Sequence, residues 1–185
     1  GSVGNAADNS FHVITTDGND GSTELNGFIV SDGNANSSLG ANNCHGAGML
    51  NINASPNLKN IKFSNNFAEG IGGGMFNNNS SPTLMNVTFY DNVSENNGGG
   101  MGNYYYSKPK LTNVTFANNS AYSGGGGMYN MDHSRPHITN ATFFGNLAAS
   151  GGAIYSLRYS PIWTATWAPY HLALVARLSP PCVLP

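Results

Sequence analysis

Side chains able to do chemistry are scarce in this chain, and they gather at one recurrent place: Tyr104-Tyr105-Tyr106-Ser107-Lys108 with Lys110 just beyond, Asp132-His133-Ser134-Arg135 with His137 just beyond, and Leu157-Arg158-Tyr159. Aromatic faces beside cations and a carboxylate suit a sugar chain, whose rings stack on Tyr and whose acidic groups pair with Lys or Arg. Tyr104, Tyr105, Tyr106, Lys108, Asp132 and His133 are therefore the candidate ligand contacts. A uronate lyase needs a base that titrates near neutrality and a cation to stabilise an enolate-like intermediate, and Lys110, Arg135 and His137 have the types for catalysis of that kind. Any solvated face needs polar residues, so simple contact is favoured over catalysis. No column of paired carboxylates recurs, which argues against a two-carboxylate glycoside hydrolase. Asp132-His133-Ser134 holds the residue types of a hydrolase triad, but no Gly-x-Ser-x-Gly elbow accompanies it; an acyl or ester hydrolase is the third reading.

Two other places are weaker. Asp17-Gly18-Asn19-Asp20-Gly21, with Glu24 behind it, resembles an oxygen-rich calcium loop whose ligands would be Asp17, Asn19 and Asp20. An Asp/Asn/Gly turn between strands explains it better. His12, and His45 beside Cys44, have no partner at metal-ligand spacing and read as structural.

These residues hang on a repeat. Gly-rich anchors begin at Gly46, Gly72, Gly98, Gly125 and Gly151, at spacings of 26, 26, 27 and 26 residues, and each runs into Met or Ile. A proline follows each anchor (Pro56, Pro82, Pro109, Pro136, Pro161). An apolar frame comes next, Leu58-x-x-Ile61-x-Phe63 and its counterparts ending at Phe89, Phe116 and Phe143. Three consecutive glycines would cost a helix about 1 kcal/mol each, so the anchor enters a strand or a tight bend, and every unit carries about three short strands. Asn60, Asn86, Asn113 and Asn140, and again Asn66, Asn92, Asn119 and Asn146, bracket the last strand. Asn tolerates left-handed bends and stacks into amide ladders, so these are structural. N-x-Thr sequons such as Asn86-Val87-Thr88 follow from the same pattern. A leucine-rich horseshoe shares part of the frame, but its return segment is helical, whereas here it is Gly, polar residues and Pro.

The expected architecture is thus all-β, a right-handed parallel β-helix of about five to six coils of 26–27 residues spanning residues 1–160. Residues 161–185 have no Gly, Asn or acid, and form either a cap or a read-through, with a short amphipathic helix expected at 170–178. The sparse charge (9% charged, net −2) gives no global support for nucleic acid, no run of apolar residues is long enough to span a membrane, and Cys44 and Cys182 make no scaffold. Residues 1–4 lack the shape of a signal peptide and read as a scar on an excised fragment.

The Gly151-Gly152-Ala153-Ile154 and Phe-x-x-Asn segments (Phe63 to Asn66, Phe89 to Asn92, Phe116 to Asn119, Phe143 to Asn146) resemble the repeats of chlamydial polymorphic outer-membrane proteins. They look equally like the β-helix regions of the pectate-lyase-like superfamily. The resemblance implies a bacterial extracellular or cell-surface protein. Adhesins, autotransporter passengers, lyases and hydrolases share the scaffold. The expected function is a glycan- or surface-binding face without catalysis, the alternative a polysaccharide lyase acting from Tyr104 to His137. Expected partners are a polysaccharide or other surface ligand and, through exposed coil edges or the tail, a second copy end to end.

Overall fold

The computed structural model describes residues 10–18, 21–37 and 42–164. Asn19, Asp20, Cys182 and the helix expected at 170–178 lie outside them.

Strands form wherever the repeat places alternating apolar residues, and every strand pairs in parallel with its counterpart one coil away. The first face stacks Ile14–Asp17, Met49–Ile52, Met75–Asn78, Met101–Tyr104, Met128–Asn130 and Ile154–Ser156. The second face follows the proline: Glu24–Asn26, Asn57–Lys59, Thr83–Met85, Lys110–Ala117, His137–Phe144 and Trp163–Thr164. In the first three coils it resumes after a bend as Ile29–Ser31, Lys62–Ser64 and Thr88–Tyr90. A short third face stacks Asn34–Ala35, Phe67–Ala68, Val93–Ser94 and Ser120–Ala121. This is a parallel β-helix, with no helical segment among the described residues, so the horseshoe is excluded.

Four coils carry all three faces, a fifth has two, and a sixth is begun. The count falls slightly short of a full five or six for a local reason. Five residues lie between Asn92 and Gly98 and between Asn119 and Gly125, but only four between Asn146 and Gly151, so the third face of the fifth coil shrinks to a single bridge between Ser120 and Leu147.

Inside, equivalent side chains stack into columns. Phe63, Phe89, Phe116 and Phe143 lie nearly parallel, with ring centroids 5.0, 4.7 and 4.7 Å apart. Columns headed by Met49, Leu58 and Ile61 fill the rest of the core. Each such side chain contributes about 1.5–3 kcal/mol on burial. The coil is too narrow for anything but glycine opposite the Phe column: a Cβ on Gly74, Gly100 or Gly127 would stand 2.8 Å from the ring of Phe89, Phe116 or Phe143.

The two Asn families divide the work that was expected of both. Asn60, Asn86, Asn113 and Asn140 sit at the bend of the second face at φ of 53°, 54°, 54° and 52°, and their exposed amides form a ladder of 2.6–3.2 Å bonds that begins at Asn26. Asn66, Asn92 and Asn119 are fully buried and, with Asn146, form a second ladder, but the left-handed residue is the one before each: Asn65, Asp91, Asn118 and Gly145. A third ladder was missed from the sequence. Thr16, Asn51, Asn77, Asn103, Asn130 and Ser156 join in an unbroken chain of bonds beneath the first face.

His12 and His45 tie the first coils together. His12 Nδ1 donates to Gly46 O at 3.2 Å, its Nε2 is buried without a partner among the described residues, and His45 Nδ1 accepts the Ile71 N–H at 2.8 Å. Burial lowers both imidazole pKa values below the usual 6.5, and for His45 the proximity of His12 adds to the effect. The folded chain therefore binds these protons less tightly than the unfolded chain. Stability is complete above about pH 6.5 and falls as the pH drops through the lowered native values. Urea midpoints measured at pH 7.5 and 5.5 should show this loss, and the His12→Gln/His45→Gln double variant should show a smaller one; equal losses would exclude these histidines as the cause. Burial, aided by Glu69, pushes the Cys44 thiol up, as for an inert structural cysteine.

Candidate ligand-binding corner

The corner between the first and second faces changes character at the fourth coil because the chain gains one residue there. Met49 to Ala54 and Met75 to Ser80 span five steps, whereas Met101 to Ser107, Met128 to Ser134 and Ile154 to Ser160 span six. In the second and third coils one left-handed Asn makes the turn, Asn53 or Asn79. In the next three, two consecutive left-handed residues do so: Tyr105-Tyr106 (φ 42° and 57°), Asp132-His133 (50° and 65°) and Arg158-Tyr159 (51° and 60°). Cross-coil bonds from Tyr106 N to Asp132 O and from His133 N to Arg158 O hold these turns in register.

The wider turn pushes its side chains outward. Tyr106, His133 and Tyr159 stack in a column, with centroids 5.0 and 5.5 Å apart and planes within 24°. Beside them Tyr104 packs on Tyr105 at 4.1 Å, and Arg158 Nη1 reaches Asp132 Oδ1 at 3.4 Å. The hydrogen bond with Tyr105, followed by burial and by the Asp132 charge, pushes the Tyr104 hydroxyl up to about 12. Tyr129 is raised too, chiefly by burial and then by Tyr155 and Asp132, with Arg158 opposing.

Ser134 does not join this surface. Its hydroxyl is fully buried and lacks a partner among the described residues, and the His133 ring is occupied between two tyrosines, so the Asp-His-Ser sequence does not converge as a triad. Serines at this position serve the turn: Ser80 and Ser107 each accept the backbone N–H one coil before, from Ala54 and from Ser80.

Lys108, Lys110, Arg135 and His137 are all exposed; Lys108 and Arg135 stand just before the prolines, and Lys110 and His137 open the second face. Lys110 pairs in register with His137, and Arg135 N bonds Ser107 O, which sets Arg135 alongside Lys108. These four side chains adjoin the aromatic corner without entering it. Asp17 ends the first strand and is exposed, and Glu24 is taken by Lys59 at 2.9 Å. Among the described residues no three His, Cys, Asp or Glu side chains are grouped to hold a metal.

Two features escaped the sequence reading. Trp163 pairs in register with His137 and so extends the Lys110 column by one coil, an indole that lay in the segment set aside as tail. The net charge also conceals a split: residues 1–96 carry eight acids and two bases, residues 97–185 one acid and five bases, or −6 against +4. Counting charge by coil rather than by chain would have shown it.

Fold and corner define a parallel β-helix repeat protein with one decorated edge. The Chlamydia polymorphic membrane protein (Chlamydia_PMP) repeat matches residues 113–129 and 140–157, in the coils that bear the corner, and the chain resembles those repeats. No curated protein and no solved structure matches the chain. Repeat and solenoid together fit a fragment of a surface protein. Among the described residues no helix is long and apolar enough to cross a membrane.

Proposed function

We propose that this chain is a length of a bacterial surface β-helix that binds a glycan, without catalysis, at the corner formed by Tyr104, Tyr105, Tyr106, Asp132, His133, Arg158 and Tyr159. The observation that carries the reading is backbone strain. A residue other than Gly, Asn or Asp held left-handed costs about 1–2 kcal/mol, and Tyr105, Tyr106, His133, Arg158 and Tyr159 are all so held. In the second and third coils the same corner is turned by a single Asn at no such cost. Strain kept where an easy alternative exists marks a site selected for its side chains.

The test exchanges the side chains and keeps the turn. A Tyr105→Asn/Tyr106→Asn variant should be at least as stable as the parent to urea and should bind about tenfold or more weakly to whichever glycans the parent retains on an array of neutral and acidic sugars. A parent that retains none, or a variant that binds equally well, would overturn the proposal. The register of Lys110 with His137 favours a second reading, a lyase. Incubation with uronate polymers should produce no absorbance of unsaturated product; product lost in both Lys110→Ala and His137→Ala would replace binding by catalysis.

A further inference from the structure

Cations in the second coil are answered from within the chain: Lys59 pairs with Glu24 at 2.9 Å, and Lys62 lies over the Tyr90 ring at 4.9 Å. In the fourth and fifth coils this stops. Lys108, Lys110 and Arg135 have neither an ion pair nor a ring partner among the described residues, although Arg135 lies in register beside Lys108, and Lys110 beside His137. Equivalent residues in adjacent parallel strands stand about 4.8 Å apart, where like charges repel. Among the described residues Lys108 and Arg135 are the one pair of cations stacked in this way; the acidic counterpart is Glu69 beside Glu95, whose N–H groups donate to Ala35 O and Ala68 O. The same outward column continues from Lys110 through His137 to Trp163, whose indole is 58% exposed and has no ring partner among the described residues.

The column differs from the aromatic corner in one physical respect. Tyr106, His133 and Tyr159 lie on one another's faces, so the middle ring, His133, is covered on both sides. Sugar rings stack on faces, and Trp163 has one to offer.

We infer that the Lys110, His137 and Trp163 column, flanked by Lys108 and Arg135, is a subsite for an anionic polysaccharide laid along the solenoid axis. One sugar ring packs on the indole, and acidic substituents one and two coils away meet Arg135 and Lys110. The inference rests on the glycan reading above and names its ligand class and direction. Charge density favours a sugar polymer over nucleic acid: the cations here are only Lys108, Lys110 and Arg135, against −6 over residues 1–96, which suits a chain with spaced acidic groups better than one with a phosphate at every step.

Carboxymethyl dextran and plain dextran share a backbone and differ in charge, so calorimetry with the full chain separates the two contributions. The parent should bind the carboxymethyl polymer about tenfold or more tightly than dextran, with the advantage shrinking as salt rises. Trp163→Ala should weaken both polymers about tenfold, and Trp163→Tyr should restore most of the loss. Lys110→Ala/Arg135→Ala should bring the two polymers to the same affinity. Equal affinity of the parent for both, no effect of Trp163→Ala, or displacement of the charged polymer by an equimolar single-stranded oligonucleotide would overturn the subsite. If glycan binding on the array still depended on Tyr105 and Tyr106, the corner would survive such a failure; if the parent bound no glycan at all, both would fall.

Discussion

Asn92→Leu is expected to remove about 3–5 kcal/mol of stability, more than any surface change in this chain. Asn92 sits fully buried in the middle of its ladder and uses its amide on both sides. Its Oδ1 accepts from Asn66 N at 3.2 Å and Asn66 Nδ2 at 2.9 Å, and its Nδ2 donates to Asn119 Oδ1 at 2.9 Å and Phe63 O at 3.0 Å. Leucine has nearly the same volume, so what is lost is pairing. Two donors on Asn66 are left with no replacement, and each such buried orphan costs about 1–3 kcal/mol, while Phe63 O loses its side-chain donor. The exposed ladder supplies the control. Asn86→Gly removes an amide that water can replace and leaves a residue that adopts φ 54° freely, so the loss should be about 1 kcal/mol or less. Denaturant midpoints of the two variants decide the matter; similar losses would show that the buried ladder is not what fixes the coils in register.

The comparison of these two ladders shows what could be read in advance. Both Asn families recur at fixed spacing, and both were assigned as structural. Spacing alone could not distinguish the amide that lines a bend from the amide that crosses the interior, because that depends on which neighbour takes the left-handed turn. The first-face ladder through Asn51, Asn77, Asn103 and Asn130 stayed hidden for a related reason. It lies two residues after Met, in the inward phase of a strand, where an apolar residue is the ordinary expectation. A polar side chain is stable there only because an identical one lies in the next coil, a condition that a single repeat does not display.

The candidate site was legible in composition and obscure in geometry. Tyr104, Tyr105, Tyr106, Asp132 and His133 were recognisable as unusual residues at equivalent positions, and the parallel register did bring successive coils together. The division between corner and face was not visible, since Pro109 and Pro136 separate neighbours in sequence that occupy two surfaces in the solenoid. Trp163 was passed over because the repeat loses its Asn and Phe signature after Pro161, while pairing needs only a backbone in register: Trp163 N still donates to Pro136 O at 3.0 Å.

Gly100→Ala should cost about 3 kcal/mol, a large effect for one methyl group. The added Cβ would stand 2.6 Å from Gly127 O and 2.8 Å from Phe116 Cδ1. Neither can yield cheaply. Gly127 O accepts the Met101 N–H at 2.9 Å, so moving it breaks the pairing of the first face, and Phe116 is confined between Phe89 and Phe143 at 4.7 Å on either side. Overpacking of a rigid core costs about 1–3 kcal/mol, and here the steric load falls on backbone as well as on a ring. The chain itself indicates where the constraint ends. The equivalent position in the begun sixth coil is Ala153, beyond the last member of the buried Phe column, Phe143. Ala153→Gly should therefore change stability by about 1 kcal/mol or less, chiefly through backbone entropy. Thermal unfolding of the two variants tests this asymmetry. A Gly100→Ala protein that melts with the parent would mean that the coils can spread apart at little cost, and the glycine triplets would then need another explanation than the narrowness of the coil.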